Sequence, residues 1–274
     1  IFKNKMKPLN PYLSEMRLIK DPSEIKNMQA AANLASKAHI KAMLKTKPGL
    51  YEHHISAEFD SEFRNGNSEH SYPPVVAGGE NACILHYTEN NKILNDGDLL
   101  LVDAGCEILG YASDITRTFP INGRFSEPQK QIYEIVLNAQ KSAIACIMPG
   151  EKVSTPHEVA CDIITNGLIE LGIMNTPSDL SEFYMHKTGH WLGLDVHDVG
   201  AQVIDDEYRI FEAGMVTTVE PGIYIRKNDK IDSKYWNIGI RIEDDVLVTN
   251  DGNHILSEAA IKDLKDIEHL MSNQ

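Results

Sequence analysis

Positive charge is scarce in this chain. Its 26 Lys and Arg stand against 40 Asp and Glu, a formal net charge of −14 at pH 7. Such a balance repels phosphate backbones and anionic lipid, so neither nucleic acid nor a membrane is expected as a partner. Long apolar runs are missing as well: none approaches the roughly 20 residues of a bilayer span. Residues 1–20 mix Lys, Asn and Pro with apolar residues, so no signal peptide is expected there. Cysteine is sparse, and Cys83, Cys106, Cys146 and Cys161 form no C-x-x-C pair. That spacing argues against a thiolate zinc knot, and four cysteines in a chain of this length do not make a disulfide scaffold. Free thiols in a reducing cytoplasm are the expectation. The chain begins with Ile1 rather than Met, as a fragment or processed form would.

What is present suits a globular protein. Hydrophobic residues make up 42% and charged residues 24% of 274 residues, enough to bury a sizeable core in one large domain or two small ones. Residues 1–20 read as irregular. Asp21, Pro22 and Glu24 then form a helix start, and the helix is predicted to run to the Pro48-Gly49 stop. A second helix is predicted over 54–64, followed by short strands in VVAGG, CILHYT and DLLLVDAG (98–105). Helices are predicted over 128–147 and 156–171 on either side of Pro149-Gly150. The remainder reads mostly as strands, with a last helix near 261–271.

Beneath this order lies a repeat. Helix, Pro-Gly, helix occurs at Pro48-Gly49 and again at Pro149-Gly150. Gly97 precedes Asp103 by six residues and Gly105 follows it by two; Gly214 and Gly222 flank Glu220 with the same spacing. Gly110 precedes Asp114 by four, as Gly239 precedes Glu243, and His86 and His197 precede the first acid of each half. The chain thus reads as two duplicated halves packed face to face in a single domain, each supplying two strand-borne carboxylates, with the site between them.

Four carboxylates brought together without countercharge would raise one another's pKa steeply. Two divalent cations about 3.5–4 Å apart remove that difficulty and activate a water between them. One imidazole would complete a shell suited to Mn, Co, Zn or Fe. The candidates are His186, His190 and His197 in MHKTGHWLGLDVHD (185–198), where Gly189 and Gly193 favour a loop or strand beside a substrate over a helix.

The segments HYTENN (86–91), LLLVDAGCEILGYASDITRTFP (99–120), HKTGHWLGLDVHDVG (186–200), TTVEPGIYI (217–225) and GIRIEDDVLVT (239–249) resemble the signatures of proline-specific (Xaa-Pro) aminopeptidases. These belong to the pita-bread metallopeptidases, with methionine aminopeptidase, prolidase and creatinase. The resemblance runs from about Ser14 to Met271. It implies an α+β pita-bread fold of pseudo-two-fold duplicated halves around antiparallel sheet. It also implies two divalent metals, manganese being the family expectation. Asp103 would bind one metal through both oxygens, Asp114 and Glu243 would bridge, and His190 and Glu220 would hold the other. His86, His186 and His197 match non-ligand active-site histidines, and Arg241 and Tyr224 match residues lining the site. The pattern departs only at Ser113, where glycine is common. The family carries an additional N-terminal domain that this chain lacks. Residues 1–20 would then be a linker or tail from it, and a homo-oligomer would form through it.

The reaction so implied is hydrolysis of the N-terminal Xaa-Pro bond by a metal-bridging hydroxide. Glu220 would move the proton, His197 would stabilise the oxyanion, and His86 and His186 would frame the proline. The expected partners are peptides with proline at the second position. Two alternatives remain: prolidase, which needs a free C-terminus two residues in, and a non-catalytic peptide-binding pseudoenzyme. HWLGLDVHD and GIRIEDD set methionine aminopeptidase aside, and the five intact ligand types set a metal-free creatinase-like hydrolase aside.

Overall fold

The structure is a computed structural model that describes residues 8–272. Its helices are α1 (Asn10–Leu18), α2 (Pro22–Lys45), α3 (Glu52–Asn65), α4 (Glu127–Ala145), α5 (Thr155–Glu170) and α6 (Leu264–Met271). The first half carries strands β1 (Glu69–His70), β2 (Val75–Gly78), β3 (Leu99–Asp103), β4 (Cys106–Ile108), β5 (Tyr111–Ala112) and β6 (Thr116–Pro120). The second carries β7 (Val203–Ile204), β8 (Glu207–Tyr208), β9 (Val216–Val219), β10 (Gly222–Ile225), β11 (Ile238–Arg241), β12 (Asp244–Val248) and β13 (Asn253–Ile255). None of the described helices is long and apolar enough to cross a membrane.

Helix α2 starts where its sequence says. The Asp21 carboxylate accepts from the backbone of Ser23 and Glu24, and Glu24 reaches back to the Asp21 N–H, which satisfies the free donors of the first turn. Its buried face is largely alanine (Ala31, Ala35, Ala38, Ala42), and the helix lies on β4 and β5. Helix α3 packs on α2 and β2, while α4 packs on α5 and lies across β9, β10 and β11. Helix pairs thus cover antiparallel strands in both halves, an α+β arrangement.

The two halves share local geometry. Gly49 and Gly150, in the two Pro-Gly turns, have φ of +88° and +89°; Gly97 and Gly214, each six residues before an acid, have φ of +87° and +92°. Only glycine takes that conformation without strain. In the first half β3 is flanked by β2 and β6, with Asp103 opposite Val75 and Thr116. In the second, β9 is flanked by β12 and by the segment 188–192. There Glu220 N donates to Thr188 O (2.7 Å), Thr218 N to His190 O (2.9 Å) and Leu192 N to Val216 O (3.1 Å).

Three expectations differ from the structure. Residues 10–18 are helical rather than irregular, because Pro11 falls in a first turn where a missing N–H costs nothing; residues 1–7 lie outside the described residues. CILHYT is no strand. A 3-10 turn over Gly79–Cys83 and a loop replace it, because the buried Glu52 carboxylate gathers this segment. Glu52 accepts from Gly78 N, Asn81 Nδ2, Tyr87 Oη and Lys92 N, all within 2.7–2.9 Å. Finally, the stretch 172–202 contains no strand. Its glycines and Pro177 give a 3-10 turn over Pro177–Glu182 and an extended run that joins β9 only through 188–192.

Candidate metal centre

The ends of β3 and β9 bring their acids to the seam between the halves. Asp103, Asp114, His190, Glu220 and Glu243 all line one cavity of about 780 Å³, together with His86, His186, His197 and Arg241. Donor atoms of Asp114, His190 and Glu243 lie within 4.8 Å of one another. His190 Nε2 stands 3.4 Å from Asp114 Oδ2 and 3.6 Å from Glu220 Oε1. Its Nδ1 lies 3.0 Å from Trp191 O, which can only accept, so Nδ1 carries a proton and Nε2 faces the carboxylates. Three oxygen and nitrogen donors in that array, with two more acids beside them, fit a divalent cation.

The electrostatics point the same way. Burial pushes the Glu220 carboxyl up to about 7, and Asp114 and Asp103 add to the rise against His190 and Arg241. Burial, with the charges of Asp114 and Glu220, holds Glu243 well above the usual carboxylate range. Asp103 is raised by burial, against the Arg241 guanidinium. Burial would lower His190, but its contact with Asp114 lifts it to about 9 and keeps Asp114 low. The cluster is short of positive charge, which divalent cations would supply.

Asp103, Asp114 and Glu243 are each held from the opposite half. Glu243 N donates to Thr116 O (3.1 Å), and Thr116 Oγ1 donates to Glu243 Oε2 (2.7 Å). In return, Asp114 N lies 3.2 Å from both carboxylate oxygens of Asp245. Arg241 Nη2 donates to Asp103 Oδ2 (2.6 Å), Nε to Thr116 Oγ1 (3.1 Å) and Nη1 to Tyr224 Oη (2.9 Å). Tyr224 does not line the cavity; it is 1% exposed and meets His186 Nε2 at 2.8 Å. It reaches the site only through His186 and Arg241. Burial pushes His186 down to about 4 and lowers His197, so both rings tend to be neutral. Ser113 is buried and bonds both the N–H and the C=O of Cys106, a use glycine could not make.

Sequence reasoning missed Tyr72, Thr116 and Asp245. The Tyr72 hydroxyl lies 2.5 Å from Asp103 Oδ1 and from Asp114 Oδ1, so one proton serves two carboxylates. Nothing in SYPPVV signals this. Thr116 and Asp245 each stand two residues beyond an acid, on the same strand face, and that alternation could have found them.

A seam-built cluster of acids around one imidazole defines a metallohydrolase-type centre. The sequence profile of metallopeptidase family M24 matches residues 26–250, and the chain belongs to that family. It is 52% identical to the Xaa-Pro aminopeptidase of Haemophilus influenzae over 96% of this chain and 63% of that protein. Among solved structures, Pseudomonas aeruginosa aminopeptidase PepP matches with a TM-score of 0.95 at 48% identity, over 97% of this chain and 62% of that one. A zinc-substituted Escherichia coli aminopeptidase P in complex with product matches at 0.94 and 44%, over 98% and 62%. The pita-bread fold is thereby shown. The chain spans about three fifths of the length of these relatives.

Proposed function

We propose that this chain is the catalytic domain of a dinuclear metal-dependent aminopeptidase that hydrolyses the N-terminal Xaa-Pro bond of peptides. The observation that carries the reading is the convergence of Asp114, His190 and Glu243 donor atoms in a cavity also lined by Asp103 and Glu220. The names of the relatives support the choice of substrate. The described residues 8–272 act as one domain, and subunits would assemble through an additional N-terminal domain.

Asp103, Asp114, His190, Glu220 and Glu243 would hold two divalent ions, for which manganese is our first choice. When bound, these supply Lewis-acid activation of the attacking water and the scissile carbonyl, and an anchor for the free α-amine. Glu220, which lines the same cavity, would receive the proton of the attacking water and return it to the departing proline nitrogen. That transfer matters because an imide nitrogen has no N–H and must leave as a secondary amine. His197 faces the same cavity and donates to the developing oxyanion. His86 and His186 frame the proline ring, and Arg241 fixes Asp103 rather than the substrate.

The test is turnover of di-, tri- and longer Xaa-Pro peptides across a metal series, with Glu220→Gln and Asp114→Asn as controls. Each variant is expected to lose about 10²–10⁴-fold in kcat. Turnover of both at wild-type rates with metal present would end the proposal. Cleavage confined to dipeptides would convert it to prolidase.

A further inference from the structure

His197 is exposed, and among the described residues its side chain makes no hydrogen bond. Its ring rests edge-on against His190, with centroids 4.4 Å apart at 78°. The residue sits in 193–200, outside any helix or strand. Nothing on the imidazole itself therefore aims it, and its direction depends on how the backbone beside it is pinned.

The pin is Asp198. Its side chain is 1% exposed and pairs with Arg17, while Lys20 Nζ lies 3.5 Å from Oδ2. Asp198 Oδ1 also accepts from Val199 N (2.9 Å), and Asp198 N donates to Trp191 O (2.9 Å), beside His190. Arg17 reaches Asp195 as well, at 2.7 Å, so one guanidinium ties both ends of the turn that carries His197. Lys20 is 4% exposed and is fixed in turn, donating its N–H to Gly214 O (2.9 Å) and its Nζ to Leu18 O (3.3 Å). Gly193 leaves the room this needs, since a Cβ there would stand 2.2 Å from Asp198 Oδ2. The Lys20–Asp198 pair is buried on both sides, so solvent does not loosen it as it loosens a surface pair such as Arg17–Asp195.

We propose that Asp198, clamped by Arg17 and Lys20, is the positioning residue that aims His197 at the reacting carbonyl, so that the segment 17–20 governs turnover from outside the cavity. This rests on the reading of His197 given above. A donor must lie near 3 Å from where the oxyanion forms, and a displacement of about 1 Å forfeits much of its effect.

The test uses the full-length, metal-loaded protein with Arg17→Met, Arg17→Lys and Asp198→Asn. Arg17→Met leaves the Lys20–Asp198 pair in place and so keeps the fold. For Arg17→Met and Asp198→Asn, kcat on an Xaa-Pro tripeptide is expected to fall about tenfold with KM and metal content near wild type. Arg17→Lys should recover part of the loss. Amide exchange over 194–200 should quicken in Arg17→Met, which can be read whether or not the protein cleaves peptides. An inactive wild type would thus defeat the functional reading, while the exchange comparison would still decide the clamp. In a His197→Ala background the clamp variants should add no further loss. A fully additive loss there, or unchanged exchange and unchanged kcat in Arg17→Met, would overturn the proposal.

Discussion

The Glu52 carboxylate, at 0% exposure, accepts four hydrogen bonds from a loop some 26 to 40 residues away in sequence, the loop that presents His86. Glu52→Gln keeps the shape but puts an N–H₂ where an acceptor is needed. It is expected to cost about 1–3 kcal/mol in chemical denaturation. His39 makes a second case. Burial lowers its pKa to about 3 from 6.5, and Nε2 donates to Ala104 O. The unfolded chain takes up that proton as pH falls through 6.5, whereas the fold refuses it until about 3. This share of stability is therefore present above 6.5 and lost on acidification, by roughly 1.4 kcal/mol per pH unit. His39→Gln should flatten that slope in denaturant titrations from pH 7 to 4, and an unchanged slope would refute the assignment. At this scale the sequence disclosed the acids, which repeat at fixed spacing from glycines, and the histidines that precede them. It hid Glu52 and Tyr72, whose partners are brought to them only by the fold.

Elements were more legible where a local signal exists. Asp21, Pro22 and Glu24 announce α2, and the apolar run closing on Asp103 announces β3. Helix α1 was invisible because the apolar residues that might betray it, Tyr12, Leu13 and Met16, are exposed and follow no buried stripe. The segment 188–192 was hidden for another reason. Its pairing with β9 depends on Gly189, where a Cβ would lie 2.1 Å from Thr218 O. Gly189→Ala must push this segment off β9, and His190 with it. A loss of about 1–3 kcal/mol in stability is expected, with weaker metal retention measured by dialysis against a chelator. Retention equal to wild type would show that the pairing of 188–192 with β9 does not set the site.

Across the whole molecule, a buried network backs the seam. Arg117 and Asp244 are both 0% exposed and pair at 2.7 Å, and Gln140, Ser257 and Lys262 complete the Asp244 shell. Burial would raise Asp244, yet Arg117 and Lys262 hold it down to about 2. Arg117→Met leaves that charge to Lys262 alone and is expected to cost about 3 kcal/mol, seen as a lower midpoint in thermal melts.

The reciprocal grip of Asp245 on the Asp114 backbone and of Thr116 on Glu243 has a further consequence. Neither half owns a complete set of donors, so ions lodged there would act as fasteners across a joint as well as reagents. Chelation should then loosen the molecule as a whole. At a free metal concentration 100 times the dissociation constant, binding adds about 2.7 kcal/mol to stability. The melting temperature should fall by several degrees on chelation and return on readdition. A melt indifferent to metal would mean that the joint holds without its fasteners.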